Sequence, residues 1–151
     1  MTNENTITTL NNLIQTCKDG QEGFKQAAEG TNNSKTKTLF YDLVKQRSEF
    51  ASELQSIVKS LGGDPENTGS IAGSIHRGWM EIKDAVAGND ETAILNECER
   101  GEDAAVSAYK KALESDMPAV PANAVRKQYG AIMAAHDQVK ALRNQARAAG
   151  A

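Results

Sequence analysis

A chain of 151 residues is long enough to bury a real core and suits a single domain. Its mild net charge of −3, with both signs mixed and no basic run or aromatic–basic platform, argues against nucleic-acid binding. No stretch is long and apolar enough to span a bilayer, and the polar start Met1–Asn5 has no secretory core, so the cytoplasm is the expected location. Helix formers dominate, aromatics make up 5% and there are three prolines, which predicts an all-α domain.

The first helix is expected over Asn5–Glu29, on the seam Ile7, Leu10, Ile14, Cys17, Gln21, Phe24 and Ala28. Gly30 and the polar run from Thr31 end it, with Asn33 or Ser34 as the next N-cap. The second helix is expected over Lys35–Leu61, on Leu39, Leu43, Arg47, Phe50, Leu54, Ile57 and Leu61, and Gly62-Gly63 followed by Asp64-Pro65 stops it. The short intervening loop makes these two helices antiparallel neighbours. A long connection follows, with its own helix over Ser70–Ala87 striped by Ile71, Ile75, Trp79, Ile82 and Val86. Asn89 or Asp90 caps a third long helix reaching Asp116, whose seam is Leu95, Cys98, Glu102, Ala105, Tyr109 and Ala112. Pro118 and Pro121 bracket a turn, and the last helix runs from Pro121 to Arg147 on Val125, Tyr129, Ile132, His136, Val139 and Leu142. Two long hairpins joined by a long helical crossover between the second and third bundle helices make up the ferritin-like four-helix arrangement.

Cys17 and Cys98 lack a CxxC partner or a histidine at ligand spacing, and read as small buried thiols. Cys17-x-x-Gly20 and Cys98-x-x-Gly101 form a weak internal repeat, with glycines mid-helix where close approach or a bulky polar group would explain them.

Each long seam carries one conspicuous polar residue: Gln21, Arg47, Glu102 and His136. At ~1.5 Å rise per residue, Gln21 lies roughly 16 Å and Arg47 roughly 22 Å below the first hairpin turn, with Glu102 and His136 about 13 to 16 Å below the same end. These positions predict one buried polar cluster. A carboxylate in an apolar seam needs a cation, a metal or hydrogen-bond donors.

The stretch Gly101-Glu102-Asp103-Ala104-Ala105 with Tyr109, and Gln46-Arg47 to Phe50-Ala51, resembles rubrerythrin-like members of the ferritin-like superfamily. Nearly the whole chain resembles an uncharacterised bacterial four-helix-bundle family within it, most clearly at Leu13–Phe24, His76–Trp79 and Cys98–Tyr109. That resemblance implies a di-iron carboxylate site, with one Glu from each of the first and third helices and Glu-x-x-His from the second and fourth. This chain departs from it. The first-helix position is Gln21 with Glu22 beside it, the second-helix pair is Arg47 and Phe50, and the fourth-helix pair is Met133 and His136. Of the fourth-helix pair only His136 remains, and Glu102 is the one first-rank carboxylate left, whereas two hard cations need several carboxylates.

Three readings follow. In the first, Arg47 replaces the metal and pairs with Glu102, with Gln21 and His136 completing the hydrogen bonds. In the second, a reduced iron site uses Glu102 and His136 with Glu22 or Glu49. In the third, these groups simply face solvent. Glu49 and Glu53 at i, i+4, and Glu97, Glu99 and Asp103, read as solvated faces. His76 reads as partly exposed, and Trp79 as the anchor of the crossover. No spacing marks a nucleophilic triad or a phosphate loop, so no catalytic residue is assigned. The resemblance then implies a non-enzymatic role without cofactor, stress-related or as an interaction module. The alternative is an iron-binding protein or oxidase with a reduced ligand set. Leftover apolar surface near Trp79 would suit a homodimer.

Overall fold

The computed structural model describes residues 2–66 and 76–150. These are all-helical, with no strand among them: α1 (Asn3–Gly30), α2 (Ser34–Ser60), a single 3-10 turn (His76–Trp79), α3 (Ile82–Ala87), α4 (Glu91–Leu113) and α5 (Ala119–Ala148). No helix among the described residues is long and apolar enough to cross a membrane.

Helix starts follow side-chain caps. The Thr2 hydroxyl accepts the Asn5 N–H at 3.0 Å, which carries α1 back to Asn3. Asn33 Oδ1 accepts from the Lys35 and Thr36 N–H groups, and Asp90 Oδ1 from those of Thr92 and Ala93. After Ser60 the chain turns through Gly62 at φ +84°, which glycine adopts without steric cost. The last helix begins two residues earlier than Pro121 and holds that proline in its first turn, where a missing N–H costs nothing.

The connecting helix expected over Ser70–Ala87 is corrected in its described part. A 3-10 turn and a six-residue helix replace it, broken at Met80 and Glu81. Packing explains the break. A Cβ on Gly78 would sit 2.9 Å from the Gly101 Cα, so the turn lies directly on the α4 backbone. Residues 67–75, with the seam positions Ile71 and Ile75, fall outside the described residues.

Each long helix lies beside two others: α1 against α2 and α4, and α5 against α4 and α2. Helices α2 and α4 thus face each other across the core. Side-chain contacts set the directions. Thr31 donates to Glu91 at 2.7 Å, and Cys17 meets Tyr109 at 3.0 Å, so α1 and α4 run antiparallel. Tyr109 meets Gln128 and Asn96 meets Arg147, so α4 and α5 do too. At the opposite end from Thr31, Asn3 Nδ2 donates to the Leu61 carbonyl and Asn11 Nδ2 to that of Asp64. The chain therefore leaves α2 at one end of the helices and enters α4 at the other.

The core has two apolar halves. One gathers Leu10, Leu13, Ile14, Leu54, Val58 and Ile132; the other gathers Phe24, Phe40, Leu43, Ile94, Leu95 and Val139. Trp79 is 9% exposed and wedged between α1 and α4: a Cβ on Gly23 or Gly101 would come within 2.2 or 2.1 Å of its indole. It meets the Phe24 ring edge-on at 4.9 Å. Trp79 is therefore an anchor of the crossover, and its neighbour Met80 is exposed, at 70%.

Candidate functional site

Arg47 and Glu102 meet at the boundary between the two apolar halves. Arg47 projects from mid-α2 and Glu102 from mid-α4, with 1% and 0% of their surfaces exposed. Nη1 donates to Oε1 at 2.6 Å and Nη2 to Oε2 at 2.7 Å, the two-pronged geometry in which guanidinium and carboxylate match best. Nε donates to Gln46 Oε1 at 3.1 Å. The guanidinium carbon lies 5.4 Å from the Phe24 ring centroid, close enough for a cation–π contribution.

Gly20 makes the room. A Cβ there would stand 3.3 Å from Arg47 Nη1, tighter than ordinary packing. Burial works against the charged guanidinium, but the charge and hydrogen bonds of Glu102 outweigh it and push its pKa further above the usual arginine value. The group stays ionised at any accessible pH.

A second polar layer lies beside this pair. Tyr109 donates to Gln128 Oε1 at 2.7 Å, so the 3.0 Å contact with Cys17 has the thiol as donor. Gln128 Nε2 donates onward to Glu53 Oε1 at 2.7 Å and to the Phe50 carbonyl at 3.3 Å. The chain touches all four long helices. Burial pushes the Cys17 thiol up to about 11, and the Cys98 thiol and the Tyr109 phenol well above their ordinary values. Neither cysteine is a thiolate nucleophile at neutral pH.

Gln21 and His136 do not join the cluster. Gln21 is half-buried beside Gly20, which takes the inward position. His136 lies on the outer side of α5, with Nε2 at 2.6 Å from Asp103 and Nδ1 at 3.4 Å from Asp137; Gln128 and Ala135 point inward instead. Glu22 and Glu49 are exposed. The grouping Glu22, Glu49, Glu102 and His136 is therefore not brought together. Glu97 corrects the solvated-face expectation. It is 3% exposed, and burial holds its carboxyl above the usual range against the opposing charge of Arg100. Its position beside the seam residue Cys98 was the available signal.

A di-iron centre does not fit these residues. The central carboxylate already has both oxygens engaged by a guanidinium. Gly20 and Phe24, which pack on that guanidinium, offer no anionic ligand.

A family model described as Domain of unknown function (DUF2383) matches residues 5–115. The chain belongs to this family. The matched segment contains Arg47, Glu102, Cys17 and Tyr109, while α5, with Gln128 and His136, lies beyond it. No curated protein matches the chain.

Proposed function

We propose that this DUF2383 chain is a single-domain, ferritin-like four-helix bundle with a crossover between its second and third long helices. The Arg47–Glu102 pair occupies the place of a metal centre. Antiparallel neighbours, and a chain that leaves α2 at one end and enters α4 at the other so that these two helices run parallel, support the topology. The role is non-enzymatic and without cofactor: a bacterial, cytoplasmic structural or interaction module, stress-related by resemblance, which can pair with a second copy through surface other than Trp79.

The observation that carries this reading is the saturated carboxylate of Glu102, held in two-pronged contact by Arg47. The test is iron analysis of protein purified without chelators and again after anaerobic Fe(II) loading, for the wild-type chain and Glu102→Gln. Equal iron in both is expected. Stoichiometric iron that disappears in Glu102→Gln would make the alternative, an iron protein or oxidase with a reduced ligand set, the correct one.

A further inference from the structure

We propose that Glu99, Asp103 and His136 form a site for one divalent transition-metal ion on the outer seam between α4 and α5, with Arg143 as its built-in competitor. This goes beyond the role assigned to the core and involves none of its groups.

Glu99 and Asp103 are one turn apart on α4, so their side chains share a face, and His136 reaches them from the antiparallel α5. One ligand atom from each lies within 4.8 Å of the other two. An ion with bonds of about 2.1 Å holds tetrahedral ligands about 3.4 Å apart, so small side-chain rotations close the site. Asp137 stands at 3.4 Å from the far ring nitrogen of His136, where a carboxylate orients a metal-binding imidazole and raises its basicity. One imidazole and two carboxylates favour zinc, cobalt or ferrous ions over calcium or magnesium, whose ligands are all oxygen. Three protein ligands leave a coordination position for water or an exogenous ligand.

Arg143 makes an ion pair with Glu99, each side chain 14% exposed. Its guanidinium satisfies the carboxylate that the metal needs, and the ion must displace it. The metal must also take the place of a proton: the Asp103 and Asp137 contacts favour protonated His136. Binding therefore tightens as pH rises and releases a proton.

The experiment is titration of the full chain with Co(II), read by visible absorption, and with Zn(II), read by calorimetry. The expected result is one ion per chain. His136→Ala, Asp103→Asn and Glu99→Gln should each weaken binding by about 10-fold or more. Arg143→Gln should tighten it, the opposite sign to that of a loss of fold. Glu102→Gln should leave affinity unchanged, provided its circular dichroism matches the wild type. Absence of saturable binding in both the wild type and Arg143→Gln would overturn the proposal. So would binding unaffected by His136→Ala, or weaker binding in Arg143→Gln.

Discussion

Glu102 and Asp103 are neighbours on one helix and meet opposite conditions. Glu102 is buried in the core against Arg47, with both oxygens engaged by the guanidinium. Asp103 sits on the outer seam with 59% of its side chain exposed, in a network of His136, Glu99 and Arg143 whose partners can be exchanged. Turning by one residue on a helix moves a carboxylate from a fixed structural pair to a replaceable ligand. In the core, removing a partner leaves a buried charge with no water to solvate it. At the seam, water takes the place of whatever is removed.

The contrast is broken most forcefully by removing one carboxylate at a time. Glu102→Ala strands a buried guanidinium and should cost about 3–5 kcal/mol in denaturant unfolding. Asp103→Asn, at a largely exposed contact, should cost about 0–1 kcal/mol. Equal losses at the two positions would erase the distinction. Next in size is Gly101→Ala. Its new Cβ collides with the Trp79 indole, so about 1–3 kcal/mol should be lost to overpacking. Trp79 is the one tryptophan of the chain, so its emission should also shift to the red as the ring is pushed outward. Tyr109→Phe breaks the second polar layer and leaves the Cys17 thiol and Gln128 Oε1 without their partner, which should cost about 1–3 kcal/mol by the same unfolding measurement.

The smallest effect sharpens the outer side. Burial works against charging His136, but its contacts with Asp103 and Asp137 outweigh this and raise its pKa above 6.5. A raised folded value means that the folded chain binds the proton more tightly than the unfolded one. The added stability is full below about pH 6.5 and is lost as pH rises through the raised value. The difference in melting temperature between the wild type and His136→Gln should therefore be larger at about pH 5.5 than at about pH 9. Thermal unfolding at the two pH values checks this, and a gap independent of pH would count against the assignment.

Much of this architecture is legible in the amino-acid order, and the lapses have a common cause. Asn33, Asp90 and Gly62-Gly63 mark their boundaries because capping and stopping are local chemistry. All six seam residues of α4 are buried. On α2 and α5 the seam is off by one at some positions. Phe40, Ala51 and Val58 are buried on α2 where Leu39, Phe50 and Ile57 are half-buried, and Gln128 and Ala135 displace Tyr129 and His136 on α5. A stripe drawn in steps of three and four drifts against a helix of 3.6 residues per turn, and small residues carry little hydropathy to correct it. Gly20 is the telling example: it faces the core because Arg47 needs the volume, a fact of packing invisible in α1 alone. Arg47 and Glu102 stood out because a charge in the middle of an apolar seam demands a partner. Glu97 and the Glu99–Asp103–His136 group did not, because a charged flank looks the same whether it faces water or a neighbouring helix.

The central claim is that Arg47 and Glu102 serve each other rather than a ligand. A double-mutant cycle with Arg47→Met, Glu102→Leu and the combined variant, measured by denaturant unfolding, tests it most directly. The account predicts that each single change costs about 3–5 kcal/mol and that the double variant regains most of that loss, because neither charge is then left buried alone. Losses that simply add in the double variant would contradict it.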